Sequence, residues 1–358
     1  MRRAGTPTFL LAAVVLAWAA AAHAGEVRHF GRGITRDGDT LVIDERAGKV
    51  AVDVAGWQPL PDPPEGLIVL RAATGGDLEI LDRRGGRPVG TIDVPPGWEG
   101  FATDAGVVLV PQALHEPRRS HHLEFRSHGG QLRAEVREPE LTLERWAVAP
   151  GGGLATVSTT PGDGTRWVII GYDGQGAQVW RHEVTGLSPP EGLLLAGGQL
   201  VVLERDLDAA TSTVTILTRG RGPKSHQLWN VTRMVADPES GKVALAGQEM
   251  VALLDTRTRR LAWRRDEPID FVLQGGLRFD RHGRLVIVSA ERDRRAGKAR
   301  LGLRSYRVSD GAEERGALGD APLDELPTVV DVETPADGGR RVLLHDRAVD
   351  ATPGDPTP

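Results

Sequence analysis

A short segment around residue 120 gathers side chains that can bind a metal ion. Imidazole and carboxylate groups are typical ligands of zinc and copper. Successive side chains of a strand point to opposite faces, so we expect His121 and His122 to face opposite ways. The spacing also matches no known ligand motif. We therefore interpret the segment as the polar residues of a loop and a hairpin, namely His115, Glu116, Arg118, Arg119, His121, His122, Arg126 and His128.

Two other segments have part of the pattern of a calcium loop. They are Asp37-Gly38-Asp39 and Asp206-Leu207-Asp208, and neither supplies the set of oxygen ligands that calcium requires. Aspartate stabilises turns through hydrogen bonds to its own backbone, which explains both segments.

The run Gly151-Gly152-Gly153 lacks the Lys-Ser/Thr of a phosphate loop, and no G-x-S-x-G motif of a serine hydrolase occurs. The sequence therefore gives us no catalytic residue, no cofactor or cofactor-binding residue and no metal ligand.

The elements that would position these residues are strands in a repeated unit. Each unit has a glycine-marked turn followed by an apolar strand. The marker glycines are 40, 47, 45, 43, 42 and 56 residues apart. A period near 40 to 45 residues, made of strands, is typical of propeller blades. The seven markers are Gly66, Gly106, Gly153, Gly198, Gly241, Gly283 and Gly339.

Each marked strand is followed by a hairpin, best preserved at residues 251–267, and preceded by another strand. The pattern predicts an all-β fold in which residues 25–349 form one β-propeller of four-stranded blades. Seven blades fit best, with six or eight as alternatives. We expect N-terminal strands at 41–44 and 49–53 to share a blade with C-terminal strands at 328–332 and 342–344, which closes the ring. Residues 350–358 are predicted to be a disordered tail.

The hairpin at 251–267 resembles the PQQ-like β-propeller repeat. It reads V-A-L-L-D at 251–255 and L-A-W at 261–263, and Trp180 and Trp229 occupy the same place in their units. WD40-like and other bacterial propellers share this pattern loosely. In the family this Trp packs between blades, so the resemblance implies that Trp263 is a packing residue. Asp255 is then a turn residue.

Two functional branches of the PQQ-like family can be compared with this chain. The quinone-dependent dehydrogenases need a cofactor cradle, a calcium site and, in many members, a cysteine pair. The chain has no cysteine, so we disfavour that branch. The envelope-assembly branch uses the propeller as a scaffold for other proteins and is usually a lipoprotein. A scaffold role remains open here, although the cysteine that would carry the lipid is lacking.

The N-terminal segment predicts export. Arg2 and Arg3 form a positive region, an apolar run follows at 9–22, and Ala22-His23-Ala24 has the small residues that a signal peptidase reads. We expect residues 1–24 to be a signal peptide cut after Ala24, and the mature protein to be periplasmic or secreted without membrane insertion. An uncleaved anchor is the alternative, although the run is shorter than a bilayer span.

The overall charge narrows the class of partner. The chain of 358 residues carries 44 basic and 49 acidic side chains, a formal charge of −5. Without a basic stripe, we expect no nucleic-acid partner. We predict a non-enzymatic monomer that binds a protein partner or an extracellular ligand at the propeller face. The alternatives are a hydrolase or lyase at the channel mouth, which needs converging His, Asp and Glu, and a glycan-binding module, which needs exposed Trp residues.

Overall fold

The computed structural model of the chain is built from β-strands. It describes residues 28–353, except 31–32, 46–47, 61–62, 113–119, 150, 161–162, 186–189, 207–208, 219, 238–239, 281 and 335–338. Within these ranges the regular elements are thirty strands, paired antiparallel, and no helix. None of the described residues forms a helix long and apolar enough to span a membrane. The predicted signal peptide lies outside the described residues.

The strands follow one another as antiparallel meanders, which we number as units in chain order. Unit 1 contains β1 (Arg28–His29), β2 (Ile34–Asp37), β3 (Thr40–Glu45) and β4 (Gly48–Asp53). Unit 2 contains β5 (Trp57–Pro59), β6 (Leu67–Ala72), β7 (Leu78–Asp82) and β8 (Pro88–Ile92). Unit 3 contains β9 (Trp98–Thr103), β10 (Gly106–Pro111), β11 (Ser120–Arg126) and the first part of β12 (Leu132–Val148).

The next three units continue the same order. Unit 4 contains the last part of β12, then β13 (Leu154–Thr160), β14 (Asp163–Tyr172) and β15 (Gln178–Thr185). Unit 5 contains β16 (Gly192–Ala196), β17 (Gln199–Asp206), β18 (Thr211–Thr218) and β19 (Arg221–Trp229). Unit 6 contains β20 (Val231–Ala236), β21 (Lys242–Gly247), β22 (Met250–Asp255) and β23 (Arg260–Asp266).

The last two units are joined by hydrogen bonds, as units 3 and 4 are. Unit 7 contains β24 (Phe271–Phe279), β25 (Leu285–Asp293), β26 (Lys298–Tyr306) and β27 (Glu313–Pro322). Unit 8 contains β28 (Val329–Glu333), β29 (Arg340–Leu344) and β30 (Ala348–Pro353). The end of β30 pairs with β27, and β12 pairs with both β11 and β13. The eight units therefore form six hydrogen-bonded sheets.

The hydrophobic core is divided among the gaps between consecutive units. Strand β10 shows how, because its side chains alternate between two gaps. Val107 and Leu109 pack in the cluster shared with unit 2, whereas Val108 and Val110 pack in the cluster shared with unit 4. Seven such clusters link units 1 to 8 in order. Each unit thus covers the apolar face of the next.

In units 4 to 8, the first strands of successive units lie side by side. Strand β16 contacts β12 and β20, and β24 contacts β20 and β28. At the ends of the series, the ring of Phe30 in unit 1 meets the ring of His345 in unit 8 edge to face, with centroids 5.4 Å apart. Sheets packed face to face with their first strands innermost have the arrangement of a β-propeller. The predicted all-β fold is confirmed.

The closing blade proposed from the sequence is wrong in its strand pairing. Strands β3 and β4 pair with β2 inside unit 1 and not with the C-terminal strands. The reason is that β1 and β2 precede them, so unit 1 is already four-stranded. Strands β28 and β29 are completed instead by β30. The register gives eight units, one of the counts that the sequence leaves open.

The predicted tail at 350–358 is also wrong in its first residues. Residues 350–353 belong to β30, because Asp350 and Ala351 pair with β29, and Thr352 and Pro353 pair with β27. These pairings hold the end of unit 8 against the outer strand of unit 7. Residues 354–358 lie outside the described part of the chain.

Trp263 packs between two units, as the resemblance implied. Its indole Nε1 donates a 3.0 Å hydrogen bond to the carbonyl of Val308 in unit 7, and its ring lies 5.7 Å from that of Tyr306. A Cβ atom added at Gly311 would lie 2.9 Å from the indole ring, so the turn of unit 7 has room only for glycine there. Trp229, in contrast, is 45% exposed.

We expect Trp263→Ala to lower the free energy of unfolding by about 3 kcal/mol, because it removes a large interunit side chain and its hydrogen bond. Urea denaturation followed by circular dichroism measures this. Trp229→Ala is the matched control, with an expected change within about 0.5 kcal/mol for a surface position. Equal losses for the two variants would contradict the packing role.

Candidate functional site

The residues singled out around position 120 divide between the two faces of β11. His121 faces the core shared with unit 4 and is 1% exposed, whereas His122 is half-buried on the opposite face. This alternation is the one predicted for a strand. His128, in the turn between β11 and β12, donates from Nε2 to the carbonyl of Thr103 at the end of β9, at 2.7 Å, so it ties this turn to the first strand of the unit. His115, Glu116, Arg118 and Arg119 lie outside the described residues.

His121 is held in a buried network of three side chains. Its Nδ1 lies 2.9 Å from the Ser158 hydroxyl, and its Nε2 lies 2.9 Å from the Tyr172 hydroxyl. Burial, with the nearby charge of Arg181 as a smaller cause, lowers the pKa of His121 to about 4. Burial likewise raises the pKa of Tyr172 well above its usual range, with a smaller contribution from the charge of Glu138. The network fastens unit 3 to unit 4 with an uncharged imidazole.

On the opposite face of β11, His122 meets two carboxylates, Glu124 and Glu135. The three side chains offer metal-ligating atoms that all lie within 4.8 Å of one another. His122 Nε2 lies 2.7 Å from Glu135 Oε1, and the ring of Trp98 meets the imidazole edge to face at 4.8 Å. We call these three residues the unit 3 cluster.

The unit 3 cluster lies on the third and fourth strands of its unit, and the ring of Trp98 reaches it from the first strand. Arg126 donates twice to Glu124, at 2.9 and 2.6 Å from Oε2, and Arg137 donates to Glu135. The hydrogen bond from Arg137 is the main cause that lowers the pKa of Glu135, and the hydrogen bond with His122 is the next. Glu135 is therefore ionised, and arginine hydrogen bonds orient both carboxylates.

The sequence reasoning missed Glu124 and Glu135, although a signal for them exists. The β11–β12 hairpin turns at Gly129-Gly130, and each glutamate lies five residues from the nearer of these glycines. That symmetry places the two glutamates directly opposite each other, as the register shows. His122 precedes Glu124 by two residues and shares its face.

A charged cleft of about 610 Å³ lies at one end of unit 7. The β25–β26 hairpin forms much of its wall. Nine of the ten residues that line it are charged, and both signs are present. The lining residues are Asp270, Glu291, Arg292, Asp293, Arg294, Arg295, Ala296, Lys298, Arg300 and Asp320.

One wall of this unit 7 cleft is fixed by a two-pronged ion pair. Arg292 donates from Nε and Nη2 to the two carboxylate oxygens of Asp270, at 3.0 and 2.7 Å. The hydrogen bonds from Arg292 hold the pKa of Asp270 below its usual range. The Arg292 guanidinium also lies 5.7 Å from the ring centre of Phe271, which is 36% exposed. In the strand register, Glu291 lies opposite Arg300 across β25 and β26, and Arg300 lies opposite Asp320 across β26 and β27.

The tip of the hairpin is less constrained. Asp293 accepts hydrogen bonds from the backbone amides of Arg295 and Ala296, which shapes the turn. The exposed guanidinium groups of Arg294 and Arg295 make no hydrogen bond within the part of the chain that the structure describes. They present positive charge beside the cleft.

In the two segments that resemble calcium loops, described aspartates contact neighbouring protein groups. Asp39 accepts a 3.3 Å contact from Arg36, and Asp206 accepts a hydrogen bond from the backbone amide of Ala209. Leu207 and Asp208 lie outside the described residues. In the best-preserved hairpin, Asp255 accepts hydrogen bonds from the amides of Arg257 and Thr258, so the predicted turn role is confirmed.

Comparison with known proteins gives no family for this chain. No family model matches it, and no curated protein matches it significantly. Similar solved structures include the dihydro-heme d1 dehydrogenase NirN in complex with DHE (15% identity, 83% of this chain and 68% of that chain, TM-score 0.49). Others are Kluyveromyces lactis Hsv2 (10%, 83% and 99%, 0.46) and the WD40 domain of SCAP from fission yeast (9%, 85% and 92%, 0.44).

These similarities are too distant to carry an argument, because every TM-score given lies below 0.5 and every identity below 25%. We therefore assign the class of the protein, a β-propeller, from its own strand register and unit packing. The more specific resemblance of the hairpin at 251–267 to PQQ-like repeats stays a prediction.

The buried imidazole of His121 makes stability depend on pH. Its folded-state pKa of about 4 lies below the unfolded value near 6.5. The unfolded state therefore binds the proton first as the pH falls, and stability is lost between these two values. From about pH 7.5 to about pH 5 the loss should be on the order of 2 kcal/mol. Urea midpoints across this range measure it.

We expect His121→Gln to reduce this acid sensitivity, even though it also lowers stability at neutral pH. His182→Gln, a histidine of β15 outside the network, is the control and should keep the wild-type dependence. An unchanged pH dependence in His121→Gln would show that other groups cause it.

Proposed function

We propose that the protein is an exported, non-enzymatic β-propeller that binds a partner protein or an extracellular ligand in the bacterial envelope. In this proposal the eight units close into one ring, with the Phe30–His345 contact at the junction. The observation that carries the binding role is the unit 7 cleft, which is large, exposed and lined by nine charged side chains.

The geometry of the cleft suits recognition of a charged surface. The ion pair between Asp270 and Arg292 and the row of Glu291, Arg300 and Asp320 give it a fixed pattern of charge. At the tip, Arg294 and Arg295 keep their hydrogen-bonding groups available to a partner. Exposed charges of this kind raise association rates and select partners of complementary charge. We therefore favour a partner with an acidic surface.

Export is supported by the N-terminal sequence, with its two arginines, apolar run and small residues before Gly25. We expect the protein, expressed with a C-terminal tag in a Gram-negative host, to appear in the periplasmic fraction or the medium with Gly25 as its first residue. Intact-mass spectrometry of the purified protein measures this. A product that keeps residues 1–24 and sediments with membranes would favour the uncleaved anchor.

The binding role is tested by reversing charge at the cleft. We expect Arg294→Glu combined with Arg295→Glu to reduce capture of the partner from envelope extracts by at least about tenfold, because the reversed charges repel an acidic surface. Quantitative mass spectrometry of affinity-captured proteins measures the change. Capture by the wild type should also weaken at high salt.

Arg84→Glu combined with Arg87→Glu is the matched control. These exposed arginines lie in the β7–β8 turn, at the opposite end of the strands in another unit. The control should retain the wild-type partners. The proposal fails if no protein is enriched with the wild type, or if the cleft variant captures the same proteins in the same amounts.

A further inference from the structure

The unit 3 cluster has the geometry of a metal site built on a strand pair. His122 and Glu124 lie two residues apart on β11, so they share a face. Glu135 of β12 lies directly opposite Glu124 in the register. Two positions on one strand and one on its neighbour therefore direct an imidazole and two carboxylates to a single point, within 4.8 Å of one another.

The opposed glutamates are electrostatically unfavourable by themselves. Like charges directly across a strand pair destabilise it. Arg126 and Arg137 offset this repulsion, but they engage only one oxygen of each carboxylate. Arg126 takes Glu124 Oε2, while Arg137 and His122 share Glu135 Oε1. Glu124 Oε1 and Glu135 Oε2 make no hydrogen bond within the described residues.

Neighbouring residues hold the side chains of the unit 3 cluster in one orientation. The ring of Trp98 packs edge to face on His122 at 4.8 Å, and the arginine forks orient the carboxylates. The side chain of Glu124 is 14% exposed and that of His122 is 20% exposed, while Glu135 is 36% exposed. The cluster is thus half-buried and open on one side, which leaves an entry path for an ion. Hydrogen bonds that orient ligands in this way are typical around metal sites.

We infer that His122, Glu124 and Glu135 bind a divalent first-row transition-metal ion, with zinc as the representative. The donor set, one imidazole nitrogen and two carboxylate oxygens, suits this class of ion. His122 Nε2, which gives up its hydrogen bond to Glu135 Oε1, and one carboxylate oxygen each of Glu124 and Glu135 supply three ligands, and the exposed side leaves a position for water or an anion. Because Arg126 and Arg137 already balance the two carboxylates, the ion adds positive charge and competes with them.

This competition gives the site a distinctive signature. Arg137→Gln removes a cation and frees Glu135 Oε1, so it should raise the affinity for zinc several-fold. Glu135→Gln and His122→Gln each remove a ligand, so each should lower the affinity at least tenfold. Glu140→Gln, an exposed carboxylate on the same strand with no role in the cluster, should leave the affinity unchanged.

Isothermal titration of the purified untagged protein with zinc chloride measures stoichiometry and affinity, and visible absorption after addition of cobalt reports the geometry of the site. Thermal melts of each variant show that it is folded. We expect one equivalent of zinc bound by the wild type, with opposite effects of Arg137→Gln and Glu135→Gln. The inference is overturned if the wild type binds no zinc. It is also overturned if Glu135→Gln binds as well as Glu140→Gln.

Discussion

The structure depends on one constraint, which is that units 2 to 7 carry apolar side chains on both faces, and both faces must be covered by neighbouring units. In β10 and β22 all six residues are buried, so neither strand can border water on either side. Packing on one neighbouring unit covers only one of the two apolar faces. Because the meander is repeated along the chain, each further unit covers the free face of the one before it, and the contact between units 1 and 8 brings the two ends of the series together. Polar side chains are left to the outer strands, the turns and the hairpin tips.

That division explains where chemistry is found in this molecule. The first strands of the units approach one another, and they carry packing residues more than reactive ones. The unit 3 cluster lies on a third and a fourth strand, and the unit 7 cleft lies at a hairpin between a second and a third strand. In both places charged groups are held by neighbours of opposite charge, such as Arg126 on Glu124 and Arg292 on Asp270. The fixed charges give these surfaces a defined pattern.

The sequence predicted the repeated unit well because glycine turns and apolar alternation are local signals. Six of the seven marker glycines precede the second strand of a unit, and Gly106 is the first residue of such a strand. Gly33 precedes β2 in the same way, but β2 reads I-T-R-D and its polarity hid unit 1. Trp263 and Trp229 have the same place in the pattern, yet only Trp263 packs on the next unit, because burial depends on the neighbouring turn. The pairing of Glu124 with Glu135 depends on the register of the β11–β12 hairpin, which is a property of the paired strands and not of either segment alone.

The shared strand β12 has a consequence for how the molecule opens. It runs without interruption for 17 residues and pairs with β11 on one stretch and with β13 on the next. Units 3 and 4 therefore cannot separate without disrupting the backbone pairing of their shared strand. Among the described residues, units 5 and 6 share no strand and are joined by side-chain packing, side-chain hydrogen bonds and the connecting chain. We expect units 3 and 4 to unfold together as one cooperative unit. The contacts of His121 and His122, on opposite faces of β11, would then stay intact while other units open.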